Sequence, residues 1–143
     1  MNENELHLLD SIYRNAEMGR DGLYVVLRKT DDTTFRKLVM TQLAEYQSIL
    51  DEAEDKLRRA GYTPDGNPAM AKMMVRMTAC RKANEDNSPS ALADMLIQGS
   101  SMGVTKIARQ LSHCQAPGED TLALAARLQK TEENNIEQMK AYL

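Results

Sequence analysis

Apolar residues recur every three or four positions along most of the chain, the period of an α-helix rather than the strict alternation of a strand. The first such stripe, Leu6, Leu9, Tyr13, Ala16, Leu23 and Leu27, predicts a helix over about Glu3–Lys29. Asn2 stands where an N-cap is needed, with Glu5 three positions on, as in a capping box. Thr30-Asp31-Asp32-Thr33 reads as a tight turn ending in a new cap. Phe35, Leu38, Ile49, Ala53 and Leu57 mark the inner face of a second helix over about Thr33–Ala60. Lys56, Arg58 and Arg59 suit the negative end of its dipole, and Gly61 stops it.

Two prolines and a glycine make Tyr62–Pro68 a loop. Asn67-Pro68 predicts a cap and a first-turn proline for a short helix reaching about Ala83. Asn84–Pro89 interrupts the pattern, and Ser88 and Pro89 open a third long helix to about His113, with inner stripe Leu92, Leu96, Gly99, Gly103 and Ile107. After Gln115-Ala116-Pro117-Gly118 a fourth long helix begins at about Glu119, its inner face Leu122, Ala125, Leu128, Ile136, Met139 and Leu143. The connection from Gly61 to Ser88 is long for a bundle turn. Its short helix covers roughly 24 Å. Either it crosses the length of the bundle and sets the third long helix parallel to the second, or the path is up-and-down with a kinked third helix. The pattern predicts one all-α domain, residues 1–143: a four-helix bundle with an extra short helix between helices 2 and 3.

Composition sharpens this picture. Aromatic residues are 4% of the chain, too few for an ordinary sheet core. The net charge is −3, with Lys and Arg scattered among acids, so the footprint of a nucleic-acid binder is missing. No apolar run reaches the roughly 18 residues of a membrane span. The opening Asn2-Glu3-Asn4-Glu5 is unlike a signal or transit peptide. Cys80 and Cys114 lack metal-ligand spacing and read as free thiols of a reducing compartment. The expectation is a cytoplasmic protein with neither nucleic-acid nor membrane partners.

Chemistry is sought among polar residues inside the apolar stripes. Glu132 lies on the line Ala125, Leu128, Ile136, Met139, where a carboxylate must protonate, pair or bind a cation. Gln42 falls between Leu38 and Ile49, Glu45 lies one position round, and Glu17 flanks the first stripe beside Tyr13 and Tyr24. This layout resembles the ferritin-like superfamily, the rubrerythrin and ferritin type of bundle. The resemblance implies one Glu on each of two helices and a Glu-x-x-His pair on each of the others, together holding two metals. Glu17 stands at the first-helix carboxylate, with Tyr24 seven residues on. The second-helix pair falls on Gln42-Leu43-Ala44-Glu45 by core phase, or on Glu45-Tyr46-Gln47-Ser48 by residue type, and the fourth-helix pair on Glu132-Glu133-Asn134-Asn135. No histidine occupies either pair, and the third long helix offers Gly99 and Gly103, with Gln98 and Gln110 as its nearest polar residues.

The implied ligand set is therefore incomplete. It holds at best Glu17, Glu45 and Glu132, against about four carboxylates and two imidazoles in a di-iron centre. The expected function is a non-catalytic structural or binding module without a cofactor. Gln42, Glu132 and Asn135 then form a buried polar network that specifies register. The alternative is an atypical di-metal site, iron or manganese, at Glu17, Glu45 and Glu132.

Two further groups carry expectations. His7 and His113 stand near helix ends, where His113 suits the dipole; meeting Cys114 there, they would make a small transition-metal site. Met70, Met73, Met74 and Met77 cluster on the short helix. They either pack it on the bundle or form an adaptable surface for a partner or for a second copy in a homodimer. Gly99 and Gly103 predict a close helix crossing or room for a large neighbouring side chain, with a pocket facing Glu132.

Overall fold

The computed structural model describes residues 1–143. Its regular elements are five helices: α1 (Glu3–Lys29), α2 (Thr33–Arg59), α3 (Ala69–Glu85), α4 (Pro89–His113) and α5 (Glu119–Lys140). Local chemistry sets most boundaries. Asn2 Oδ1 accepts from the Glu5 N–H at 2.7 Å, Asp32 Oδ1 from the Phe35 N–H at 2.7 Å, and Ser88 Oγ from the Ala91 N–H at 3.2 Å. α2 ends in a Schellman turn, in which Tyr62 N–H reaches Leu57 O and Gly61 N–H reaches Arg58 O, with Gly61 at φ +79°.

Two caps differ from expectation because tertiary partners win. Glu5 does not close the capping box; its Oε1 accepts from the Gly118 N–H and the Thr121 hydroxyl, serving the start of α5, which lacks a capping side chain of its own. Pro68, not Asn67, occupies the α3 cap, and the Asn67 amide turns instead to Arg14 O and Glu17.

Cross-helix contacts fix the chain path. Arg36 bonds Leu27 O and Arg20 bonds Gln47, so α1 and α2 are antiparallel. Cys114 meets Asn4, Asn15 meets Gly103 and Asn87 meets Lys29, so α4 is antiparallel to α1 and parallel to α2. α5 returns antiparallel to α2, with Gln42 on Gln138, Tyr46 on Glu132 and Glu52 on Arg127. The connection is thus the crossover form. α3 runs alongside the second half of α1, with Lys72 on Glu17, Arg76 near Asp21 and Asn84 on Lys29.

One continuous core draws on all five helices. α1 touches every other helix, so its buried face is wider than one stripe: Leu8, Ile12 and Val26 join Leu9, Ala16 and Leu23, while Leu6, Tyr13 and Leu27 are half-buried. The α5 face keeps the expected Ala125, Leu128 and Met139 but also buries Thr121, Leu124 and Asn135, while Leu122 is exposed, as is Leu143 beyond the helix end. On α4, Gly103 is buried, but Gly99 falls at the edge of the stripe and is exposed. α3 docks through Ala79, Ala83 and Lys72, not through its methionines. No helix is long and apolar enough to cross a membrane.

Candidate functional site

The most buried carboxyl is that of Glu132, on the inner face of α5 and 1% exposed. Its Oε2 accepts a hydrogen bond from the Tyr46 hydroxyl of α2 at 3.1 Å. Ser100 and Asn135 lie beside that hydroxyl. The opposite wall is backbone: a Cβ built on Gly103 of α4 would collide with Glu132 Oε2. Asn15 of α1 holds this wall, donating from Nδ2 to Gly103 O at 2.9 Å. The Tyr46 ring is seated on a second glycine, since a Cβ at Gly19 would lie 2.5 Å from Cζ. Glycine in a helix is unfavourable by roughly 1 kcal/mol relative to Ala; both positions accept that loss to admit a large buried side chain.

Burial raises the Glu132 carboxyl to about 8, and the Tyr46 hydrogen bond only partly opposes this. No cation offsets the burial. Its Oε1 is buried without a hydrogen-bond partner, which further disfavours the anion. Burial, then the neighbouring Glu132, push the Tyr46 phenol well above its ordinary range. At neutral pH the pair is a protonated acid and a protonated phenol in the bundle interior. One turn further along, Gln42 Nε2 donates to Gln138 Oε1 at 3.1 Å and to Asn135 O at 3.5 Å. Asn135 Nδ2 is buried with no partner. Gln42, Glu132 and Asn135 therefore lie in one buried polar region, but Glu132 bonds Tyr46 rather than Gln42.

The other expected ligands lie elsewhere. Glu17 faces the crossover, where Oε1 accepts from the Asn67 backbone N–H and side-chain amide, each at 2.9 Å, and Oε2 pairs with Lys72 Nζ at 3.1 Å. Burial pulls this carboxyl upward, but the Asn67 and Lys72 bonds overcome it and hold the group below its ordinary value. Glu45 is exposed and faces Arg127 at 3.9 Å. The three carboxylates thus have three separate surroundings, and no group of three or more His, Cys, Asp or Glu side chains is arranged to hold a metal. His7, His113 and Cys114 do share a cleft of about 290 Å³ where α1 begins and α4 ends. There His113 Nδ1 lies 2.8 Å from Arg109 O, and Cys114 Sγ donates to Asn4 O at 3.6 Å.

Tyr46 is the residue that sequence reasoning missed in this site. Its signal was the continuous spacing Gln42, Tyr46, Ile49, Ala53, which places it on the inner face between two residues already assigned there. Met70, Met73, Met74 and Met77 all point outward and are 62–77% exposed. Comparison with known proteins places the chain beside none of them: no family model, no curated protein and no solved structure matches.

Proposed function

We propose that the chain is a ferritin-like bundle acting as a non-catalytic binding module, in which a buried neutral acid takes the place of a metal centre. The observation that carries this reading is the fate of the three carboxylates: Glu17 serves the crossover, Glu45 the surface, and Glu132 alone enters the core, bonded to Tyr46. The chain path, with α2 and α4 parallel across a long connection, supports the ferritin-like part. A lone protonated carboxyl against a glycine backbone offers neither a nucleophile nor a coordination sphere. It does tie α2, α4 and α5 into one register, as buried polar groups do in coiled coils. The test is elemental analysis after anaerobic incubation with Fe²⁺, Mn²⁺ and Zn²⁺ and desalting, with Glu132→Ala alongside. Equal, negligible metal in both proteins is expected; one or two metals per chain lost in the variant would make this a metal protein.

A second reading, a scaffold that docks a partner through α3, is favoured by the outward methionines. Changing Met73 and Met77 to Gln should abolish partner capture in pull-down while leaving the helical spectrum intact. Capture that survives the change removes this reading.

A further inference from the structure

The outward arc of α3 is built from sulfur. Met70, Met73, Met74 and Met77 are exposed and fall within about 100° of the helix circumference. Cys80, a half-buried free thiol, continues the arc at its edge. Met73, Met77 and Cys80 follow a four-three spacing, and Met70, Met73 and Met77 a three-four spacing. Residues so spaced are neighbours on a helix surface, their Cβ atoms about 5–6 Å apart. Methionine has three rotatable side-chain bonds, and none of these four belongs to the core, so their sulfurs are free to converge on one point. The opposite arc, with Lys72, Arg76, Ala79 and Ala83, holds the helix on α1 without them.

We infer that α3 binds one Cu(I) ion through the sulfurs of Met73, Met77 and Cys80, with Met70 in reach as a fourth donor. The donor chemistry selects the ion. Thioethers and thiolates are soft ligands that favour Cu(I), whereas Mg²⁺, Ca²⁺ and Mn²⁺ favour oxygen. No carboxylate or histidine stands between Met70 and Cys80. Thioethers are neutral, so a divalent ion here would keep most of its charge uncompensated. The exposed Arg81 beside the arc penalises a divalent ion more heavily than a monovalent one. As the Cu–S bond to Cys80 forms, the thiol releases its proton to solvent, and the resulting thiolate balances the single charge of Cu(I). This site is independent of Glu132. It also differs from the docking reading, which uses the methionines as apolar surface and not as sulfur donors.

Anaerobic titration of the full chain with Cu(I) tests this, with affinity read by competition against a chromogenic Cu(I) chelator. Proton–carbon NMR of the methionine methyl groups locates the ion. The expected result is one ion per chain that shifts the methyl signals of Met73 and Met77. Met40 and Met102, exposed on other helices, should keep theirs. Met73→Leu/Met77→Leu retains apolar, helix-forming side chains, so the fold, verified by circular dichroism, and the apolar surface persist while two donors are lost. Losing even an outer partner of a metal ligand weakens binding 10–100-fold, so affinity in this variant should fall on the order of a hundredfold. Cys80→Ser should weaken binding as well. Unchanged affinity in the leucine variant would overturn the inference. So would an ion lost in Cys114→Ser but kept in the leucine variant, which would place it in the cleft of His7, His113 and Cys114. Absence of any Cu(I) binding would also overturn it, and would leave the docking reading to its own pull-down test.

Discussion

Replacing Glu132 with Gln should stabilise the protein, and by an amount that depends on pH. In the unfolded chain the carboxyl titrates near 4.5, and in the fold near 8. Between these values the folded state keeps a proton that the unfolded state has released, so raising the pH favours unfolding. The loss begins above pH 4.5, and it saturates once the pH passes the folded value of about 8. At 1.36 kcal/mol per unit, neutrality of Glu132 costs about 3 kcal/mol at pH 7 and about 5 kcal/mol above pH 8. Gln has the same shape, retains an oxygen for the Tyr46 hydroxyl and never ionises. Urea denaturation of both proteins at pH 5, 7 and 9 measures the effect, with equal m-values showing that only stability has changed. Other titrating groups cancel in the difference between the two proteins. The difference should be near zero at pH 5 and grow to about 3 kcal/mol at pH 7 in favour of the variant. Parallel pH profiles for the two proteins would refute the reasoning, because they would mean that Glu132 ionises at the same pH in both states.

Three further outcomes follow from the same geometry. Tyr46→Phe removes the only hydrogen bond to Glu132, so it should cost about 1–3 kcal/mol in urea titrations and move the Glu132 titration upward. Gly19→Ala sets a methyl 2.5 Å from the Tyr46 ring; despite the better helix propensity of Ala, a loss of about 1–3 kcal/mol is expected, and an unchanged denaturation midpoint would show that the ring can move aside. Glu17→Gln removes the Lys72 pair, so hydrogen exchange should quicken in α3 and leave the α2, α4 and α5 interior unchanged. The Glu17 contribution is present above its unfolded value of 4.5 and lost as the pH falls through its lower folded value, so wild-type α3 should lose protection in acid at those pH values.

Helix positions were legible because caps and breakers are local: Asn2, Asp32, Ser88 and Gly61 act on their own neighbours. Buried faces were read less well where a helix has several partners. α1 packs against four helices, so a single stripe left out Leu8, Ile12 and Val26. Glu132 could be placed in the core from its spacing, but its partner could not, because Tyr46 lies 86 residues away. The surroundings of Glu17 were hidden for a similar reason: flanking an apolar stripe does not say whether a residue faces the bundle interior or a crossover laid over it. The α3 methionines show the limit of composition. The methionine cluster was read as packing the helix on the bundle or as docking a partner; the packing on α1 falls to Ala79, Ala83, Lys72 and Asn84.

The most direct test of the account is the protonation state of Glu132 itself. A ¹³C NMR titration of the glutamate side-chain carboxyls, with Glu132→Gln identifying the signal, gives it without reference to stability. The account predicts a midpoint near 8 in the metal-free protein. A midpoint at or below 4.5 would contradict it, since an ionised Glu132 in this core would require a cation partner.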